Sequence, residues 1–321
     1  VSDRPLVSIA LATFNGARYL REQLGTLYAQ TWEPVEVVVS DDASTDGTVE
    51  ILAEHARLRG LRYAVNAANL GLVKNFERSI GMCRGALIAL CDQDDLWKPH
   101  KIATLVENLG DFSLIYCNGQ EYLSVDGRIA IDTAVDQVFA FARAQGTGRP
   151  TRHLLAENWV VSHTLLFRRE VLAAALPFPA HHVYHDGWLA LVASKLGGIK
   201  YFDERLQTHR RHAASITFVP PAERVARHRS GRRLLDGTYR AAWQSRCRTE
   251  IARLGDAVAL PLLDEDDRAF VRELLEYYRI APRRGVSWRA LRAGWRVAPY
   301  FSTLFGAPRW RAPLRALAGG L

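Results

Sequence analysis

Ala86-Leu87-Ile88-Ala89-Leu90-Cys91 runs straight into Asp92-Gln93-Asp94-Asp95, an apolar stretch that ends on acid. An uninterrupted apolar run of this kind reads as a buried strand, and the carboxylates fall where it gives way to a loop. Side chains alternate along a strand, so Asp92 and Asp94 share a face and Asp95 is offset. Carboxylates this close repel one another by roughly 1 kcal/mol per pair in water, and several-fold more when partly buried. A divalent cation removes that penalty. Mg2+ or Mn2+ takes carboxylate oxygen while keeping room for phosphate oxygens. The competing reading has Asp95 capping a helix that begins near Pro99, with the other two acids solvated.

Outward from this segment, residues 1 to about 120 alternate apolar strands with amphipathic helices. Strands are expected at 6–11, 35–40, 61–65, 86–91 and 113–117, with helices near 18–28, 48–59, 73–82 and 101–109. Strands this short and this continuously apolar belong to a sheet covered on both faces. Their alternation with helices indicates an α/β fold with a mostly parallel, doubly wound sheet. Ligands then bind outside the carboxyl ends of the strands. Those ends are Thr13-Phe14-Asn15, Asp41-Asp42, Asn66 with Asn69, and Asp92 to Asp95. All are polar, which predicts convergence on one site.

Farther along, a hairpin is expected to turn at Asp126-Gly127, followed by a less regular loop to about 155. A strand at 160–167 and a short helix near 169–176 come next. His185-Asp186-Gly187-Trp188 opens a helix running to about Leu196, and extended structure resumes at 199–202 and 205–208. From Pro220 the chain becomes Arg- and Leu-rich helices, with breaks expected at Gly255, Pro261, Pro282 and Pro299.

The 321 residues accommodate one large domain, or one domain with an appendage. A chain 48% hydrophobic and 24% charged has the composition of a soluble globular protein. No apolar stretch approaches the length of a membrane span, and the N-terminal residues lack the basic head and apolar core of a signal peptide. Cys83, Cys91, Cys117 and Cys247 show no CxxC spacing and fall in apolar or helical surroundings, as buried thiols in a reducing compartment do. A cytoplasmic protein is expected. The net charge of +8 is unevenly placed: no acid follows Glu276, whereas Arg279, Arg283, Arg284, Arg289, Arg292, Arg296, Arg309, Arg311 and Arg315 do. Trp288, Trp295, Tyr300, Phe301, Phe305 and Trp310 are interleaved with them. Such a segment fits an anionic membrane surface, nucleic acid, or packing against the main domain.

Several segments, in order, carry a resemblance to a known family. They are Val7 to Asn15, Ser40-Asp41-Asp42-Ala43-Ser44-Thr45-Asp46-Gly47-Thr48, Asn69-Leu70-Gly71-Leu72-Val73-Lys74-Asn75-Phe76, Asp92-Gln93-Asp94-Asp95-Leu96-Trp97-Lys98-Pro99, His185-Asp186-Gly187-Trp188 and Arg210-Arg211-His212. Over roughly residues 6 to 216 the chain resembles family 2 inverting glycosyltransferases. The Lys-Asn-Phe and Asp-Gln-Asp-Asp-x-Trp variants look like the bacterial rhamnosyltransferase branch. The resemblance implies a GT-A fold and transfer of a sugar from a nucleotide diphosphate donor, with inversion.

It also implies roles. Thr13, Phe14, Asn15, Asp42, Asn69, Lys74, Asp92 and Gln93 match the nucleotide-binding positions, and Asp42 occupies the place that accepts a hydrogen from a pyrimidine imide. Lys74 and Asn75 would steady the diphosphate or position the base-binding loop. Asp94 matches the metal-ligating acid for Mg2+ or Mn2+, with Asp92 nearer the ribose, and His212 falls where some members place an imidazole ligand. Asp186 matches the general base. A carboxylate opposite the leaving group is what inversion in a single displacement requires. The family usually carries Glu-Asp here, whereas this chain has His185-Asp186, leaving one carboxylate. His185 and Trp188 are then candidates for the acceptor side. A family Asn after the imidazole is replaced by Ser215. Turn chemistry competes with a functional role for Ser44 and Asp46, and helix capping accompanies it for Asp186.

A GT-A domain is expected over 1–219, with a donor half to about 120 and an acceptor half beyond, followed by a basic helical region over 220–321. Expected partners are a dTDP- or UDP-sugar, a saccharide or lipid-linked glycan acceptor, and an anionic membrane surface. A sugar-nucleotide nucleotidyltransferase would need a Gly-rich basic loop after the first strand, for which Thr13 to Arg18 is a poor substitute. A non-catalytic polyanion binder is disfavoured because the sheet-edge acids repel phosphate, so nucleic acid is not an expected partner.

Overall fold

Every residue of β1 (Val7–Thr13) is buried, and its alternation divides the interior in two. Val7, Ile9 and Leu11 point to one face of the central sheet, Ala10 and Ala12 to the other. The computed structural model describes residues 4–124, 127–133, 136–181, 184–212, 237–280 and 288–300. Among these, β1 joins β2 (Val35–Asp41), β3 (Arg62–Val65), β4 (Leu87–Asp92), β6 (Leu114–Cys117), β9 (Leu165–Arg168) and β10 (Ile199–Phe202) in the order β10-β6-β9-β4-β1-β2-β3.

Pairing is parallel except at β9, which runs antiparallel to both β4 and β6. On one face lie α1 (Ala17–Tyr28), α2 (Thr48–Arg59) and α4 (Lys101–Leu109), which contribute Leu20, Leu24, Leu52, Ile102 and Leu105 to the core. On the other lie α3 (Leu72–Met82), through Phe76 and Ile80, and α8 (His185–Lys195), whose residues 188–193 are buried all round. A helix apolar on every side belongs inside a protein, and α8 is sandwiched accordingly.

The strand order locates the crevice. From β1 the chain steps outward to β2 and β3, then crosses back to β4 on the far side of β1. That reversal leaves a cleft at the carboxyl ends of β1 and β4. In register, Ala12 lies beside Asp92 and Thr13 beside Asp41. A second sheet, in the order β5 (Leu96–Trp97), β11 (Gln207–Arg210), β7 (Glu121–Leu123) and β8 (Ile129–Ile131), flanks the cleft. Gln207 pairs with Trp97 and Thr208 with Leu96, which carries the residues after Thr208 back to the strand-end acids. β7 and β8 form the expected hairpin; Gly127 has a φ of 80°, and Asp126 lies outside the described residues.

Four local expectations need correction. The strand foreseen at 160–167 begins with a 3-10 turn at Ser162–Thr164, because the Ser162 N–H is drawn to Asp186 and Thr164 bonds back to the Val161 carbonyl. The expected irregular loop contains α5 (Asp136–Gln145) and α6 (Thr151–Ala156), stabilised by burial of Val138, Phe139, Phe141, Leu154 and Leu155 rather than by a clear helical period. The extended segment foreseen at 205–208 is displaced to 207–210 by its pairing with β5. Gly255 does not break its helix, α9 (Gly237–Val258), which absorbs the roughly 1 kcal/mol penalty of a mid-helix glycine.

Between β9 and α8 a short helix, α7 (Leu172–Ala175), follows a 3-10 turn. α9, α10 (Glu265–Ile280) and α11 (Trp288–Val297) complete the described chain. Trp243, Leu254, Phe270, Leu274, Tyr277 and Val297 bury into the same core as α3 and α8, so these helices share the interior of the sheet. In the basic segment, Arg279, Arg292, Trp295, Arg296 and Tyr300 are described. The side chains of Trp288 and Arg289, together with Arg283, Arg284, Phe301, Phe305, Arg309, Trp310 and Arg315, lie outside the described residues, as do Arg311 and Ser215. No described helix is long and apolar enough to cross a membrane.

Candidate active site

The ends of β1 and β2 are locked together by side-chain to backbone bonds. Asn15 and Ala43 take left-handed conformations, with φ of 47° and 61°. Asn15 N–H donates to Ser44 Oγ (2.8 Å), and Thr45 N–H donates to Asn15 Oδ1 (2.9 Å). Asp41 accepts from Thr13 Oγ1 (2.7 Å) and Ser44 Oγ (2.6 Å). Asp46 accepts the N–H groups of Thr48 (3.0 Å) and Ala17 (3.1 Å), which is turn chemistry. The result is a stiff floor that leaves Phe14 46% exposed.

Asp42 is placed differently from the expectation of an acid facing a nucleobase. It is only 2% exposed. Its oxygens accept from Asn66 Nδ2 (2.7 Å), Leu70 N–H (2.7 Å) and Gly71 N–H (2.9 Å). The carboxylate therefore anchors the 66–71 loop, and presents that loop rather than itself to the cleft. Asn75 extends the network: it accepts from Asn66 (3.1 Å) and donates to the Thr13 carbonyl (3.1 Å). Asn69 accepts the Gly71 N–H at the start of α3 (3.1 Å), and Leu70 is 49% exposed beside it. Lys74 pairs with Glu77 (2.9 Å) and reaches the Phe178 carbonyl (3.5 Å).

Gln93 ties the acid loop to β1. Its amide accepts the Phe14 N–H (2.9 Å) and donates to the Phe14 carbonyl (3.1 Å). A Cβ at position 16 would stand 2.2 Å from Gln93 Oε1, so Gly16 is needed for this clasp.

The acids then meet three histidines. Asp92, whose side chain is 30% exposed, lies 3.0 Å from His163 Nδ1. Asp94 Oδ2 lies 2.8 Å from His212 Nε2, and the His212 ring lies tilted against Tyr19, with centroids 4.5 Å apart. Asp95 is fully buried between His163 and His209. Burial and then the neighbouring Asp95 and Asp92 push the Asp94 carboxyl above its ordinary range. Asp95 goes the other way: the two imidazoles outweigh burial and hold it down at about 2. His163 is raised to about 8 because Asp95 and Asp92 outweigh its burial. Beneath them Lys101 is wholly buried, lowered to about 8 by desolvation, and donates to the His163 carbonyl (2.6 Å) with its Nζ 3.6 Å from the Trp97 ring centroid.

The expected Asp94–His212 pair fits a divalent cation. Ligands at right angles around an ion about 2.1 Å away stand about 3.0 Å apart, close to the observed spacing. A crowded carboxylate with a raised pKa is also what a cation relieves.

Asp186 sits in the first turn of α8, with its carboxylate held by three donors. These are Asn158 Nδ2 (2.9 Å), Ser162 N–H (3.0 Å) and Gly187 N–H (2.6 Å). Burial nevertheless pushes it up to about 6, despite two of those bonds favouring the ionised form. The two residues expected on the acceptor side are both in the interior. Trp188 is 4% exposed and donates to the Ala175 carbonyl (2.9 Å), so it is a core residue. His185 is stacked on Phe76 with ring centroids 4.1 Å apart, shut from solvent, and lowered by burial to about 4. The exposed apolar residues beside Asp186 are instead Tyr184 (49%) and Val161 (38%).

His163, His209, Lys101 and Asn158 were not singled out from the sequence. The polar triplet Ser162-His163-Thr164, interrupting an apolar run, was the one available signal for His163.

With this geometry in place, the comparisons with known proteins define the class. Residues 8–173 match the model of glycosyl transferase family 2, just over half of the chain, and the chain belongs to that family. An uncharacterized glycosyltransferase of Nostoc sp. is 28% identical over 216 residues, covering 65% of this chain and 66% of that protein. The chain thus spans slightly under two thirds of that relative's length. Among solved structures, the mannosyltransferase PcManGT from Pyrobaculum calidifontis, in complex with GDP-Man and Mn2+, gives a TM-score of 0.58 at 18% identity over 98% of this chain and 86% of that one. S. aureus TarS 1-349 in complex with UDP gives 0.55 at 15% identity over 98% and 88%. These likenesses establish the GT-A fold.

Proposed function

We propose that this protein is an inverting, metal-dependent glycosyltransferase that moves a sugar from a nucleotide diphosphate donor to a saccharide or lipid-linked glycan. The observation that carries this reading is the bridge made by Ser162. Its N–H holds Asp186 at 3.0 Å while its hydroxyl stands 3.5 Å from Asp92 Oδ1. One residue thus ties a carboxylate suited to general-base work to the acids that would hold the donor. In the ionised form Asp186 takes the proton of the incoming hydroxyl. The three donors around it keep the carboxylate in one orientation, and its raised pKa makes it a stronger base than an exposed aspartate. Asp94 and His212 would hold Mg2+ or Mn2+, which when bound supplies charge stabilisation to the departing diphosphate. The 66–71 loop, anchored by Asp42, and the exposed Phe14 and Leu70 would frame the base.

The donor we propose is dTDP-rhamnose. The motif resemblance supports it, through Lys74-Asn75-Phe76 and the Asp92 to Trp97 segment. Isothermal titration calorimetry in the presence of Mn2+ tests it. dTDP and dTDP-rhamnose should bind at least about tenfold, or about 1.4 kcal/mol, more tightly than GDP or ADP. Tight GDP binding with no heat from dTDP or UDP refutes the pyrimidine assignment.

We further propose that residues 1–219 form the catalytic unit, and that the basic C-terminal region faces an anionic membrane in surface polysaccharide synthesis. Arg292, Trp295 and Arg296 lie on one exposed side of α11, with Trp295 61% exposed. Cations near an anionic surface contribute about 1 kcal/mol each, and an interfacial tryptophan adds shallow burial. Because α11 also packs into the core, substitution is a cleaner probe than deletion. Replacing Arg292 and Arg296 by Glu and Trp295 by Ala should cut flotation with phosphatidylserine vesicles at low salt at least about fivefold, with donor binding intact. A parent protein that ignores such vesicles defeats the claim.

A further inference from the structure

Asp95, His163 and His209 come from three separate elements: the loop after β4, the 3-10 turn before β9, and β11. None of them carries a step in the transfer chemistry above. His209 Nδ1 stands 3.0 Å from Asp95 Oδ1, and His163 Nδ1 stands 3.4 Å from Asp95 Oδ2. The two imidazole planes are parallel within 10°, with centroids 5.0 Å apart. One ligand atom from each residue falls within 4.8 Å of the others. Asp95 is fully buried, yet its Oδ2 has no hydrogen-bond partner.

A buried carboxylate oxygen without a partner is costly, and native structures rarely leave one. A single cation held by both imidazoles and Asp95 would satisfy that oxygen. We propose that Asp95, His163 and His209 hold a second divalent transition-metal ion, Zn2+ by the character of its ligands, separate from the cation at Asp94 and His212. In a tetrahedral site with bonds near 2.1 Å, neighbouring ligand atoms stand about 3.4 Å apart, against 3.0 Å and 3.4 Å from the two Asp95 oxygens to the imidazoles. Asp92 Oδ2, 3.0 Å from His163 Nδ1, is placed to offer a fourth ligand. Such an ion staples β4, β9 and β11 together under the cleft, and fixes the rotamer of Asp92 from below. Because Asp95 and His163 are buried and His209 is only partly exposed, it exchanges slowly and survives brief treatment that strips the outer cation.

Metal content tests this without any assay of transfer, so the outcome is independent of the sugar-transfer reading. The 321-residue chain, purified without a metal-affinity tag, is loaded with Zn2+, exposed briefly to excess EDTA and desalted. Mass spectrometry of the metal should find about one Zn2+ per chain in the parent and in Asp94→Ala, and less than about a tenth of that in His209→Gln. His209 is partly exposed, which favours a folded variant, and circular dichroism checks this. Reconstitution of the parent with Co2+ provides the second measurement, expected to show the visible bands of a four-coordinate ion. A parent that retains no Zn2+ and gives no Co2+ bands overturns the proposal. So does a folded His209→Gln variant that retains as much Zn2+ as the parent.

Discussion

Asp186→Asn should lower transfer by about 10²–10⁴-fold while donor affinity changes little. The substitution keeps the side-chain shape and one oxygen, so Asn158 Nδ2 and Gly187 N–H retain their acceptor. What disappears is the ability to take a proton from the acceptor hydroxyl. The pH profile gives a second readout. Burial raises Asp186 to about 6, so in the parent turnover should climb as pH rises through about 6, and one unit below it about a tenth of the carboxylate is ionised. The same shift has a stability consequence. A carboxyl raised above its ordinary value contributes stability that is full at low pH, and that is lost as pH climbs from about 4 through about 6. Asn removes that buried charge, but sets an amide N–H2 against the Ser162 N–H. The two effects oppose one another, so the melting temperature should move little at neutral pH. Near-parental turnover in Asp186→Asn with acceptor present would falsify its role as the base.

Much of the fold was legible because its signals are local. The run from Leu87 to Cys91 is buried on both faces, and the helices at Thr48–Arg59 and Lys101–Leu109 begin and end where their apolar spacing says. The convergence of strand ends follows from strand order alone, as the pairing of Ala12 with Asp92 shows. Long-range placements were not legible in the same way. His209 reaches Asp95 only because β11 pairs with β5, a contact between residues more than a hundred positions apart. Lys101 reads as an ordinary lysine in the first turn of a helix, and nothing local says that it is wholly buried under the acids. The errors at His185 and Trp188 share one cause. An aromatic or imidazole next to a catalytic acid looks like a substrate contact, but α8 is buried on every side, so its other residues serve the core. Asp42 shows a related effect: a motif acid reads as a ligand contact, but it is buried and pins the 66–71 loop.

Asp94→Ala is expected to abolish metal-dependent transfer, a loss of at least about 10³-fold, with the fold intact. The loop survives the change because Arg210 Nε bonds the Asp94 carbonyl (3.0 Å), which alanine keeps. Removing the carboxylate also ends its burial cost and its repulsion with Asp95 and Asp92, which together raise its pKa. Stability should therefore be unchanged or slightly higher, which separates loss of a ligand from loss of structure. His212→Ala removes the partner at 2.8 Å and should weaken Mn2+ binding without abolishing transfer at saturating Mn2+. That ordering follows from charge: the carboxylate neutralises the cation, whereas the imidazole only completes its ligand set. In the parent, brief EDTA treatment should stop transfer and Mn2+ or Mg2+ should restore it, while Asp94→Ala should not recover at any Mn2+ concentration. Full activity of the parent in chelator, or an Asp94→Ala protein as active as the parent, would show that the strand-end acids do not act through a metal.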